Sequence, residues 1–400
     1  MRGCGGPALN YRQGVPAFRN PLSAHTLDVV GEGKFVVTNQ QNEQVWNVYT
    51  GRRQFGDHET VTHVAIARRL ANLRNATYCG VWNENSSGAN LYLIPDDTLL
   101  SSELATFAKT TSRLELFGGS VPFPFVMTKA ITHSTIADAQ ATPVGWSNDL
   151  GTCLKGMVLR GYSAFCAADA YGAGILLLGE GPLRIKPLQE RGGIGQRVIA
   201  EKSALVPALD SIDFEGASGI VLEQNLTEVE TFSVGFVSIG SEIISYVGTQ
   251  ELTPNNHGLS VYGGSELFVA RGSIEQLLAQ PLDADRRRAI KLSAAFERAA
   301  FLAYPDIQTT RRNYDVAKGR DSAGEIRWGV LEQSWRLGGA SAAEVLAFQF
   351  FSRNVGRATI SARCRERYGN DIAIPPNAEV FYQDSDSKVG PMTKYALISE

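Results

Sequence analysis

Apolar and polar positions alternate through Arg312-Asn-Tyr-Asp315-Val-Ala-Lys-Gly-Arg-Asp-Ser-Ala-Gly-Glu-Ile-Arg-Trp-Gly-Val-Leu-Glu332-Gln-Ser334-Trp-Arg336, and the run reads as a β-hairpin. Turn-forming residues concentrate at Asp321-Ser322-Ala323-Gly324. An antiparallel register centred between Ala323 and Gly324 pairs Asp315 with Glu332. Because side chains alternate along a strand, Glu332, Ser334 and Arg336 share one face, while Leu331, Gln333 and Trp335 take the other. One face therefore carries two acids, a hydroxyl and a guanidinium. Magnesium takes a few hard oxygen ligands together with substrate phosphates, and an arginine beyond them grips phosphate or carboxylate with its planar fork.

The same reading along the chain predicts strands at Phe35–Thr38 and Val45–Tyr49, then a helix whose apolar stripe (Val61, Val64, Ala65, Leu70, Leu73) is broken by Arg68. A strand at 90–94 and a helix through Lys109 follow. This alternation indicates a small α/β domain with a parallel sheet over residues 31–125, preceded by a Gly-, Pro- and Asn-rich extension over 1–30. Pro122-Phe-Pro-Phe125 punctuates its end. Residues 149–171 are mainly helical in pattern. Short strands are expected at 183–187, 197–200, 220–223, 231–239, 242–246 and 266–270. Helices are expected at 202–209, over a long region from Ser273 through Tyr304, and at 340–352. No repeat or heptad run is present.

Composition narrows the picture modestly. Four hundred residues exceed what one core usually holds, so two or three packed subdomains are expected. A formal charge of -3 gives no global pull toward nucleic acid or anionic membrane. The five scattered cysteines, never in a C-x-x-C pair, point to a reducing compartment. With no apolar leader and no run long enough to span a bilayer, a cytoplasmic protein is the expectation.

Familiar signatures fail. There is no G-x-x-x-x-G-K-[ST], no G-x-S-x-G and no H-E-x-x-H, and Val198 stands where a third glycine would complete the G-x-G begun at Gly193. What remains is Lys186 before Pro187, the glycine loop Gly192-Gly193-Ile-Gly195-Gln196, and the apolar strand Val221-Leu222-Glu223 running into Gln224-Asn225-Leu226. A lysine beside a glycine loop can place an ammonium and backbone N–H groups around phosphates.

Taken in order, Lys129, Lys186-Pro187, the glycine loop, Glu223 and Glu230, Asp315 and Glu332-Gln-Ser334-Trp-Arg336-Leu-Gly-Gly resemble the ATP-grasp superfamily, and the whole chain resembles a bacterial ATP-grasp-like family of unassigned function. The resemblance implies an α/β and α+β protein: an ATP-grasp domain over 126–400, in two subdomains divided near 225, behind a pre-ATP-grasp α/β domain. It implies ATP and Mg2+ as cofactors. Lys129 and Lys186 would hold phosphates, Gly192, Gly193, Gly195 and Gln196 would close over them, Glu223 with the Leu226 backbone would mark the adenine site, and Glu230 would hold the ribose. Asp315 and Glu332 would hold magnesium, with Ser334 standing where the family usually has Asn. Arg336 with the Gly338-Gly339 amides would meet the acyl phosphate, and Arg271 is a further candidate cation. The expected reaction joins a small-molecule carboxylate to an amine or other nucleophile. A kinase on the same fold and a non-catalytic nucleotide-binding protein are the alternatives. Glu59 and Tyr262-Gly-Gly-Ser265 are candidates for the acceptor side, and His133 for the phosphates. Substrate recognition is expected from loops around Asp96, Asp97, Gly118 and Gly119, and a symmetric homodimer is compatible with the sequence.

Overall fold

A computed structural model describes residues 42–399, apart from 53, 55, 191–194 and 215–217. The extension over 1–30, the strand expected at Phe35–Thr38, and Gly192 and Gly193 lie outside the described residues. Elements β1 (Glu43–Val48), α1 (Asp57–Arg74), β2 (Thr77–Val81) and β3 (Asn90–Pro95) alternate, and β4 (Leu99–Leu100), α2 (Ser101–Ala108), β5 (Arg113–Leu116) and β6 (Gly119–Val121) follow. Four of these strands form a parallel sheet in the order β2-β1-β3-β5. Strand β3 is apolar almost throughout and buried, as a parallel strand covered on both faces must be. Arg68, which breaks the stripe of α1, is exposed, while Ile66, Ala67, Leu70 and Ala71 face the core. The Glu59 carboxylate accepts the Gly56 N–H at 3.1 Å, and Asn75 ends the helix in the left-handed region at φ 53°.

The next unit contains α3 (Asn148–Cys153), β7 (Gly161–Ala164), α4 (Ala167–Leu178), β8 (Leu183–Pro187), β9 (Arg197–Ile199), α5 (Lys202–Asp210) and β10 (Ile220–Gln224). Its antiparallel sheet has the order β7-β10-β8-β9, with α4 and α5 packed on it through Ala173, Leu177, Leu205 and Leu209. The expected helical stretch 149–171 is corrected here. Residues 161–164 are a strand because they pair with β10, a ladder partner distant in sequence that local periodicity does not reveal.

The largest element is an eight-stranded antiparallel sheet. The rest of the chain comprises β11 (Thr227–Ile239), β12 (Glu242–Pro254), β13 (Ser260–Arg271), α6 (Ile274–Leu278), α7 (Ala284–Ala303), β14 (Gln308–Thr309), β15 (Arg311–Arg320), β16 (Ile326–Ser334), α8 (Ser341–Arg353), β17 (Thr359–Tyr368), β18 (Glu379–Asp386) and β19 (Gly390–Ser399), with β14 pairing β6 in a separate small sheet and the other strands forming the large one. The strand order is β16-β15-β11-β12-β13-β17-β19-β18. Helices α1 and α8 cover one face over Tyr246, Leu267 and Ile360, and α7 covers the other over Val234, Tyr314 and Val330. The long helix expected from Ser273 to Tyr304 is two helices, divided around Pro281, the second capped where the Asp283 carboxylate accepts the Arg286 N–H at 2.7 Å. The last three strands, for which the sequence carried no assignment, complete the sheet.

The α/β and α+β class is therefore the expected one, with a parallel α/β unit ahead of two largely antiparallel α+β units. No helix among the described residues is long and apolar enough to cross a membrane.

Candidate functional site

The hairpin β15–β16 pairs Asp315 with Glu332 and Asn313 with Ser334, the register that the alternation predicts. A bulge between Asp315 and Val316 shifts the ladder by one residue, so the turn half of the hairpin centres on Ala323. The two carboxylates behave oppositely. Burial, then the negative Glu332 opposite, pushes the Asp315 carboxyl up to about 7, although the Gln250 amide donates to it at 2.7 Å. Glu332 is held below the usual carboxylate range: burial raises it, but Lys129, Lys186 and Arg336 together outweigh that. The two acids are thus shifted in opposite directions from the usual carboxylate range.

Lys129 lies in a short 3-10 helix, Lys129–Thr132, nucleated by the Thr128 hydroxyl accepting the Ala130 N–H at 3.1 Å. The Lys129 ammonium is buried and stands 3.2 Å from the Glu332 carboxylate while donating to the carbonyls of Pro187 and Glu190. Lys186, on β8, is paired with the buried Glu223 of β10, and the other Glu223 oxygen is 3.3 Å from His133 Nε2. Burial raises the Glu223 pKa, but Lys186 and His133 win and bring it down to about 2. Lys129 and Lys186 thus flank the acids from one side.

From the other side comes the parallel unit. Asp97 lies just beyond the carboxyl end of β3, where α/β sheets place ligand-contacting groups, and its carboxylate is 3.7 Å from Arg336 Nε. The Thr98 hydroxyl donates to the Trp335 carbonyl at 3.3 Å. A side chain at Gly118 or Gly119 would press on Trp335 and Arg336, so these glycines allow the close approach. Asp97, Thr128, Lys129, Glu190, Glu332 and Arg336 line one cleft that opens to solvent.

Two facing carboxylates and a nearby hydroxyl suit magnesium that arrives with a nucleotide. Among the described residues no group of three or more His, Cys, Asp or Glu is arranged to hold a metal by itself, and magnesium typically takes one or two protein carboxylates plus phosphates. Ser334 adds its hydroxyl beside them, 3.4 Å from the Arg311 guanidinium.

The family described as "Protein of unknown function (DUF3182)" matches residues 47–396. The chain belongs to that family. No curated protein matches it. Among solved structures, this DUF3182 protein is similar to carboxyaminoimidazole ribonucleotide synthase from Aspergillus clavatus, complexed with ATP, at 12% identity and TM-score 0.48, over 90% of this chain and 94% of that one. Biotin carboxylase from Campylobacter jejuni follows at 11% identity and TM-score 0.48, over 89% and 87% of the two chains. D-alanyl-alanine synthetase A from Vibrio cholerae matches at 11% identity and TM-score 0.47, over 78% and 97%.

Other sequence candidates in this DUF3182 chain do not line this cleft. Arg271 is engaged elsewhere, 3.4 Å from Glu242, donating to the Phe351 carbonyl and stacked over the Phe351 ring at 5.0 Å. Glu230 is exposed and pairs across the ladder with Lys318. Leu226 is buried against Leu159, Ala317 and Leu331. Gly195 takes φ +70° against Pro187, and the Gln196 side chain accepts from Arg184 at 3.3 Å. Tyr262 lies against Gly339 and shares a 2.7 Å hydrogen bond with Ser265. The sequence reading missed Gln250 and the buried pair of Arg311 and Glu344. An arginine opening a strand and a glutamate in an otherwise apolar helix were the available signals.

Proposed function

We propose that this protein is a magnesium- and ATP-dependent ligase that activates a small-molecule carboxylate as an acyl phosphate and passes it to an amine or similar nucleophile. The observation that carries this reading is the convergence of Lys129, Glu332, Arg336 and Asp97 on one cleft between three parts of the fold, with Asp315 opposite Glu332 on the neighbouring strand.

In this reading, Asp315 and Glu332 would hold magnesium, which would supply positive charge to the phosphates. Lys129 gives up carbonyl partners for phosphate oxygens, since an ammonium rotates freely among acceptors. Lys186, fixed by Glu223, supplies a second positive charge that needs no reorganisation. A substrate carboxylate oxygen attacks the γ-phosphorus as the bond to the β-phosphate oxygen breaks, and ADP leaves. The nucleophile then attacks the acyl carbon, losing a proton as inorganic phosphate departs. Arg336, at the cleft and near Asp97, faces the transferred group with a planar fork. Little side-chain proton transfer is required, which fits a cleft richer in fixed charges than in neutral bases.

The test is a calorimetric titration of ATP with and without magnesium on the native chain and on Glu332→Gln and Lys186→Ala. Magnesium-dependent binding weakened at least tenfold in folded variants supports the reading and justifies a carboxylate and amine screen for ADP release. Full turnover in both variants would overturn it.

A further inference from the structure

Arg311 opens β15 and is 1% exposed, and its partner Glu344, on α8, is fully buried. The guanidinium donates to Glu344 through Nε at 3.1 Å and Nη2 at 2.8 Å. Its remaining nitrogen, Nη1, donates to the Ser334 carbonyl at 3.1 Å and the Arg336 carbonyl at 2.6 Å, and lies 3.4 Å from the Ser334 hydroxyl. Glu344 is held in turn by the Tyr246 hydroxyl at 2.6 Å, and Tyr246 accepts from the Asn313 amide at 3.1 Å. Arg311 also runs beneath the glycine turn, since a Cβ on Gly338 would sit 3.4 Å from Nη2. One fully satisfied buried cation therefore grips the main chain on both sides of Trp335, where β16 has ended and no ladder partner is available.

We propose that the Arg311–Glu344 pair is the positioning device of the cleft: anchored on α8, it holds segment 334–336 so that Ser334 and Arg336 face the nucleotide. This rests on the ligase reading for what Arg336 does, but the anchoring itself does not depend on that reading. The arrangement explains why charge is buried here at all. A buried ion pair rarely adds stability over apolar residues of similar volume, whereas a guanidinium can hold two carbonyls and a carboxylate in fixed directions. Lysine could not reproduce the fork.

The experiment compares the native chain with Arg311→Lys and with the volume-matched pair Arg311→Met/Glu344→Leu, which leaves no unpaired buried charge should a single variant fail to fold. Three quantities are read: amide exchange over 334–339, KM for magnesium-ATP, and kcat for ADP release, the last two also on Arg336→Ala backgrounds. The expected result is exchange at least tenfold faster in that segment alone, KM within threefold, kcat at least tenfold lower, and no further loss when Arg336→Ala is added. Native-like exchange in a folded variant, or kcat losses that multiply with Arg336→Ala, would overturn the proposal. If the native chain binds no magnesium-ATP, the ligase reading fails, while the exchange result still decides whether the pair anchors the segment.

Discussion

Lys129 and Glu332, from a 3-10 turn and a sheet-edge strand, stand 3.2 Å apart in a cleft that the parallel unit completes. Lys129 is buried but keeps its two carbonyl partners, and Glu332 is over a quarter exposed, so losing the pair strands neither group and both can exchange partners with a ligand. Glu332→Gln is accordingly expected to leave the thermal midpoint nearly unchanged while removing the magnesium dependence of ATP binding. A large fall in the midpoint would instead assign the pair a structural role.

Lys186 is as buried as Lys129 but has a buried partner. Its partner Glu223 is 3% exposed, and breaking a buried pair leaves a charge uncompensated at about 3–5 kcal/mol. Lys186→Met is expected to lower stability by that order in chemical denaturation, and Lys186→Met/Glu223→Leu to recover most of it. Equal destabilisation by the single and double variants would contradict this.

Glu223 also sets an acid limit. Its carboxyl is brought down to about 2 when folded, below its ordinary value, so its stabilisation is complete above about pH 4.5 and is lost as pH falls toward 2. Between pH 5 and 3 the native chain is expected to lose stability more steeply than Glu223→Gln, as followed by denaturant midpoints. Parallel curves would remove Glu223 from the account of acid unfolding.

Asp315 acts in the opposite sense. With its carboxyl raised to about 7, the folded state retains a proton that the unfolded chain releases, so stability declines as pH climbs from about 4 to about 7. Asp315→Asn is expected to raise the thermal midpoint at pH 8 and not at pH 4. Because magnesium requires the ionised carboxylate, its ATP complex is expected to bind about tenfold more weakly for each pH unit below 7, with proton release visible as a buffer-dependent heat. Binding that is flat between pH 6 and 8 would show that Asp315 is not a ligand.

Close packing at the glycine turn supplies a steric test. A Cβ on Gly339 would come within 2.5 Å of the Tyr262 ring. Gly339→Ala is expected to cost about 1–3 kcal/mol. Tyr262→Ala added to it should restore the turn, read as recovered ATP-dependent thermal shift, and a fully tolerated Gly339→Ala would argue against the packing.

The hairpin was legible in the sequence because its determinants are local. Turn chemistry at Asp321–Gly324 and the two-residue period of strands are enough to give the hairpin, while the bulge after Asp315 keeps Asp315 opposite Glu332 above a turn centred on Ala323; the same short-range rules indicated the parallel unit. Everything that depends on which element packs on which was decided by the tertiary structure. Residues 161–164 became a strand only through pairing with β10. Arg271, a plausible phosphate cation by its order in the chain, ends β13 engaged with Phe351 and Glu242. Gln250, Arg311 and Glu344 carry no motif, since a buried hydrogen-bond network is defined by directions in space and not by spacing along the chain. The periodicity of a chain states which face a residue occupies, and long-range packing alone states what that face meets.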